Sequence, residues 1–288
     1  MKSFLDNIHA WSKDFLLRKV VRNSAFLFGG QAMSAVLSIL TADMLGVAGF
    51  GVLGVVVSFI SNINRLMSFR MGDFVVKYMG AAIARDENDS AAAIIKVAAL
   101  TETLTSILAF VILLLLAPWA ADKFAKDPTT TILFQVYGLT ILGNIASETA
   151  TGVLQVTGHF RSQALINLVQ SFITAGLILL VYITKGDVLG VVLAYLAGKI
   201  LLGVGPMVLA AYWLHKVLGK SWWRVQLRDA LPPRKEMVRF ALSSNFSGTI
   251  NILARDSEVL WVSYFFSTVE AGYFKVALAV INLMVMPI

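Results

Sequence analysis

The side chains able to do chemistry in this chain are a few charges set inside long apolar runs. Arg255, Asp256 and Glu258 fall together in one such run, with Arg255 and Glu258 at i, i+3 spacing. Lys199 stands near the middle of another run, and Glu102 in a third; Arg65, Lys275 and Asp43 lie nearer the ends of theirs. A charge at bilayer depth costs at least about 2.5–3.5 kcal/mol, so each needs a partner or a function. Arg255 and Glu258 can neutralise each other. Alternatively the arginine is held for an anionic headgroup while Asp256 or Glu258 takes a proton or a cation. Glu102 is the expected counter-ion of Lys199, as a buried structural pair. Arg65 and Lys275 can snorkel toward the interface, and Asp43 suits the interface as well.

Polar residues also recur at helical spacing. Ser58, Asn62 and Arg65 make one stripe, Asn144, Glu148, Thr151 and Gln155 a second, and Gln163, Asn167, Gln170 and Thr174 a third. Ser244, Ser247, Asn251 and Arg255 make a fourth, which continues to Glu258. Such stripes avoid lipid and face other helices or a wet interior.

Other chemistry is poorly provided for. Cysteine is absent, which removes disulfides and thiolate metal sites. His9, His159 and His215 are far apart and lack zinc spacing. There is no Gly-rich phosphate loop and no nucleophile motif. Neither a cofactor nor a metal is expected, nor an enzyme: the longest outward loop, about residues 118–130, is too short to carry an acid–base site.

The elements that position these groups follow from composition. The 288 residues are 58% hydrophobic and 14% charged, against about 25% charged for a soluble domain. Spans of about 20 apolar residues cross the hydrocarbon core. Eight are expected, near 23–44, 47–69, 92–117, 131–154, 160–184, 187–213, 238–265 and 270–288. The fold class is therefore an all-α polytopic membrane protein. Residues 1–235 hold a six-helix bundle, preceded by an interfacial helix with Phe4, Ile8, Trp11 and Phe15 on one face. Residues 236–288 begin a second bundle and supply its first two helices. Gly46, Gly49, Gly51 and Gly54 crowd the first turn, where close helix packing is expected.

The net charge of +7 is spread through short segments between apolar runs, which points to membrane topology and away from nucleic acid. With the amino end in the cytoplasm, eighteen Lys and Arg fall on the cytoplasmic side and three on the other. That asymmetry predicts a multi-pass inner-membrane protein with a cytoplasmic N-terminus. Trp119, Trp213, Trp222, Trp223 and Trp261 near span ends agree.

The C-terminal Met286-Pro287-Ile288 falls inside an apolar run, so a longer chain, truncated here, is expected. Residues 47–60 resemble 270–283, with Ala48, Gly49, Phe50 and Val57 aligned to Ala271, Gly272, Tyr273 and Val280. Both segments enter the membrane from the same side, so a parallel duplication of a six-helix unit is expected.

Three stretches carry a family likeness. The first is 23–80, with Gly30-Gln31, GVAGFGVLG and SFRMGDFVVKYMG. The second is 154–200, with LQVTGHFRSQALINLVQSF and GVVLAYLAGK, and the third is RDSEVLWVSYFFSTVEAGYFKVALAVINLMVMP. In these the chain resembles the polysaccharide-biosynthesis oligosaccharide flippases, of the superfamily that also holds multidrug and toxic-compound extrusion transporters. The resemblance implies two parallel bundles of twelve to fourteen helices in all around a central cavity. It implies movement of an undecaprenyl-pyrophosphate-linked oligosaccharide across the inner membrane for polysaccharide or lipopolysaccharide synthesis, with membrane lipids and polysaccharide assembly proteins as partners. On that basis Arg65, Arg255, Lys275, Asn62 and Asn251 are the expected substrate-binding residues, and Asp256, Glu258 and Asp43 the ion-coupling ones. A cation-coupled multidrug or small-molecule exporter of the same superfamily is the alternative.

Overall fold

The computed structural model describes residues 15–219, 222–225, 257–285 and scattered positions between 235 and 249, with side chains from Leu37 to Ile281. Every long element among them is a helix. The longest, α1 (Phe15–Met67), is two arms joined at Gly46, whose φ of 67° and ψ of 169° interrupt the helix. Only glycine takes such an angle readily. These arms are the first two expected spans, bent where the glycine-rich turn was expected.

The next elements are α2 (Met71–Ile83), α3 (Asn88–Lys123), α4 (Thr131–Gly143) and α5 (Ser147–Val156). Then follow α6 (Phe160–Ile183), α7 (Val188–Val217), α8 (Glu258–Phe265) and α9 (Thr268–Val285). Among the described residues, five stretches are long and apolar enough to cross a membrane: Leu37–Ile83, Asn88–Lys123, Pro128–Val156, Phe160–Ile183 and Val188–Val217. The seventh expected span, 238–265, lies mostly outside the described residues.

Two differences from the expected spans matter for the site. Residues 71–83 form a helix where a loop was expected. Met71, Phe74, Val75, Met79 and Ala82 are its buried face, and their helical spacing was visible in the sequence. The expected single span 131–154 is instead two helices, α4 and α5, separated by a break at 144–146. A second break, at 68–70, separates α1 from α2.

Helix α3 shows how the fold answers to lipid. Its 36 residues span about 54 Å, well beyond the roughly 30 Å hydrocarbon core. One face exposes Leu100, Leu104, Ile107, Leu108, Val111 and Leu115, the last at 75%. The opposite face buries small and polar residues, namely Ala98, Glu102, Ser106, Ala109 and Ala117, around Leu113. Large aliphatics outside and small residues inside is the order a lipid solvent imposes.

Short polar segments end the spans. Asp127 opens the turn Pro128–Thr130, accepting from the Thr129 amide at 2.9 Å and from its hydroxyl at 2.7 Å. Those bonds hold the Asp127 carboxyl below the usual carboxylate range. Lys126 donates to the Tyr264 carbonyl at 3.0 Å, tying the α8 end to this turn. At the other end of the bundle the His159 ring stacks on Trp213 at 3.6 Å, and Lys216 lies over Tyr212 and Trp213. The histidine and tryptophan rings here serve packing.

Candidate functional site

Two places in the fold bring the chemically capable residues together. The first is the crossing of the second arm of α1 with α9, which run side by side in the same direction. A Cβ at Gly51 would fall inside the Thr268 carbonyl, and one at Gly272 inside the Val47 carbonyl. Only glycine at both positions lets the two backbones meet. The segments that resemble each other, 47–60 and 270–283, are therefore the ones in contact. Lys275 lies within this crossing, partly buried, with its stem against Gly54 and its ammonium 4.8 Å from the centre of the Phe50 ring. That cation–π contact partly offsets the loss of water around the charge.

Arg65 lies fourteen residues beyond Gly51 on the same arm, about 21 Å along it. Its side chain is exposed, and so is that of Lys199 on α7. Arg65 is near enough for its charge to act on Lys199. Asn62, one turn earlier on α1, is buried. The side chains of Arg65 and Lys199 are thus both exposed, and Lys275 lies at the glycine crossing.

The expected Lys199–Glu102 pair is not formed. Glu102 instead faces the start of α5, where Oε1 accepts from the Glu148 amide at 2.8 Å and Oε2 from the Thr149 amide at 2.9 Å. A helix start presents unpaired N–H groups and a partial positive charge, which suit a carboxylate better than a flexible ammonium does. Glu102 is 7% exposed, and this cap satisfies both of its oxygens.

The cap belongs to the second place, where the two helix breaks face each other. Helices α2 and α5 meet through glycines: a Cβ at Gly72 would lie 2.9 Å from the Glu148 carbonyl, and one at Gly152 would lie 2.7 Å from the Gly72 carbonyl. Ser68, in the first break, donates to Glu148 Oε1 at 2.7 Å. Asn245 donates to the Leu66 and Ser68 carbonyls at 2.9 and 2.7 Å, bridging from the seventh expected span to the same break. A cavity of about 30 Å³ lies between the breaks, with Asn64, Ser106, Asn144 and Ser147 beside the two glutamates. Sequence reading placed Glu148 in a polar stripe and Glu102 in a pair, and so missed that the two acids share one site. The available signal was the run Asn144 to Glu148, whose polar residues interrupt an apolar span.

The remaining expected residues fall elsewhere. Asp43 is exposed, three residues before the Gly46 bend, and Glu258 is exposed at the start of α8. Asn251, Arg255 and Asp256 lie outside the described residues, and with them the Arg255–Glu258 pair.

The long apolar helices, with small and polar residues turned inward, define an all-α, multi-pass membrane protein. Its fold is that of a solved multidrug resistance MATE family transporter of the MOP superfamily in an inward-facing conformation. The two share 16% identity with a TM-score of 0.69, over 89% of this chain and 59% of that one. Residues 40–288 match the family of polysaccharide biosynthesis proteins, and the chain belongs to that family. It is also 27% identical over 173 residues to the inner membrane protein YghQ of Escherichia coli (strain K12), a match covering 59% of this chain and 48% of that protein. The chain thus spans about half the length of the curated relative it matches.

Proposed function

We propose that this protein moves a lipid-linked, undecaprenyl-pyrophosphate oligosaccharide across the inner membrane for polysaccharide synthesis, with its amino end in the cytoplasm. The observation that carries the reading is that Arg65 and Lys199, on two long apolar helices, both have exposed side chains. A pyrophosphate offers charge and acceptors that match the Arg65 guanidinium and the Lys199 ammonium. Family membership supports polysaccharide as the context. The fold, seen in a transporter, supports a carrier that opens to one side at a time. In this reading the glycine crossing of α1 and α9 is the closed end, and Arg65 with Lys199 meets the headgroup toward the other. Lys275 would engage the pyrophosphate only when the crossing opens. Arg255, Asn62 and Asn251 would extend the headgroup contact, and Asp256, Glu258 and Asp43 would carry coupling charge. Polysaccharide assembly proteins would be its partners. The alternative exporter of cationic small molecules calls for exposed acids where this chain has exposed bases.

The test replaces Arg65 and Lys199 with Ala, singly and together, in the full-length protein and measures surface polysaccharide at equal membrane abundance. Each single change is expected to lower export about tenfold, as the loss of one charge-assisted hydrogen bond does, and the double change further. Full export by the double variant would remove the pair from the mechanism.

A further inference from the structure

The proposed export leaves the last turns of α7 without a role. Val204, Val208, Tyr212 and Lys216 follow one another at i, i+4 spacing, and all four are exposed. They therefore form one stripe along a single face of the helix. The stripe is apolar at its first two positions, aromatic at Tyr212 and cationic at Lys216. The Lys216 ammonium lies 4.7 Å from the centre of the Tyr212 ring and 4.9 Å from that of Trp213. Val204 and Lys216 are about 18 Å apart along the helix, close to the depth of one leaflet of a roughly 30 Å core.

A second cation is held beside this stripe. Trp222 donates its Nε1–H to His215 Nδ1 at 3.1 Å, and Lys96 of α3 donates to the Val225 carbonyl at 2.6 Å. These two bonds fix the single turn Trp222–Arg224 against the end of α7. Trp213 and Trp222 both pack against the same buried core. Trp223 and Arg224 stay exposed, with the guanidinium 4.7 Å from the centre of the Trp223 ring. Arg161, two residues past the His159 ring that stacks on Trp213, is exposed as well.

An aromatic face covers one side of a cation and leaves most of its N–H donors free. Among the described residues, no carboxylate is paired with Lys216, Arg224 or Arg161. At the start of α3, Glu87 is joined instead to Arg85 at 3.2 Å. Free guanidinium and ammonium donors suit a phosphate. Exposed tyrosine and tryptophan rings suit headgroup depth, and the apolar part of the stripe suits an acyl chain.

We propose that the end of α7 and the turn after it seat one anionic phospholipid. Its acyl chain lies along Val204 and Val208, and its phosphate is met by Lys216 and Arg224. A zwitterionic headgroup brings a positive charge of its own to these cations, so the seat selects net negative charge. Trp222 and Lys96 act as positioning residues, because they hold Arg224 beside Lys216. The lipid seat uses neither Arg65 nor Lys199 and does not depend on what the carrier moves.

The experiment is native mass spectrometry of the full-length, delipidated protein in detergent, titrated with phosphatidylglycerol and phosphatidylcholine of the same chain length. Wild-type protein is expected to bind phosphatidylglycerol more tightly than phosphatidylcholine. Lys216→Gln and Arg224→Gln are each expected to weaken phosphatidylglycerol about fivefold, and the double change about thirtyfold. Neither change is expected to alter phosphatidylcholine binding much. Lys185→Gln removes an exposed cation at the opposite end of α7 and is expected to change nothing. Equal affinity for the two lipids in the wild type overturns the proposal. So does a double variant that holds phosphatidylglycerol as tightly as the wild type, or a loss in Lys185→Gln as large as its own. The comparison of the two lipids needs no variant, so a folding defect in the double change leaves it decisive.

Discussion

Gly51→Leu in the full-length protein is expected to abolish polysaccharide export, while Gly176→Leu is expected to leave it intact. The added side chain at Gly51 collides with the Thr268 carbonyl, which is backbone and cannot rotate away, whereas a Cβ at Gly176 meets nothing within 4 Å. Overpacking of this kind costs typically about 1–3 kcal/mol. The cost falls on the state in which α1 and α9 touch, because the helices can separate to relieve it. A bias of that size shifts a two-state equilibrium by about 5- to 150-fold, enough to hold a carrier in one state. Gly51→Ala places only the Cβ there and is expected to lower export by less. The measurement is surface polysaccharide normalised to protein in the membrane fraction. Export by Gly51→Leu at the level of Gly176→Leu would show that the crossing does not work as a closure.

The second large effect concerns stability. Glu102→Leu is expected to lower the melting temperature of the detergent-solubilised protein sharply, while Lys199→Met leaves it nearly unchanged. Removing the carboxylate strands the Glu148 and Thr149 amides, and each orphaned buried donor costs about 1–3 kcal/mol. Glu102→Gln keeps one acceptor oxygen and is expected to fall between. If Glu102 and Lys199 were partners instead, either change would leave a buried charge alone, and both would destabilise strongly. Equal losses in the two variants would restore the pair and displace the cap.

How much of this was legible in the sequence follows from what each signal depends on. Span position depends on local apolarity, so α6 and α7 begin and end within a few residues of the expected 160–184 and 187–213. The bend at Gly46 was legible because a crowd of glycines between two apolar runs has few other uses. Helix α2 was hidden by nearby charges: Arg70 just before it, with Asp73 and Lys77 within it, read as a loop, although Met71, Phe74, Val75 and Met79 keep helical spacing. The break at 144–146 was hidden for the opposite reason. Hydropathy runs on through it, and only the facing break at 68–70 with the Glu102 cap stabilises the interruption. Those partners are remote in sequence: the two hydrogen bonds of the cap join residues 46 and 47 positions apart. Charge pairing failed likewise for Glu102, because opposite charges on two spans say nothing of the backbone donors nearby. The site's acids were thus visible as residues but not as neighbours.

We propose that this family member carries a pyrophosphate-linked glycolipid between leaflets. Its most direct test is reconstitution of the purified full-length protein in vesicles with a fluorescent undecaprenyl-pyrophosphate oligosaccharide, followed by quenching from one side only. The protected fraction is expected to become accessible in protein-containing vesicles, and much more slowly when Arg65 and Lys199 are both Ala. Equal rates in protein-containing and protein-free vesicles, with folded protein inserted, would contradict it.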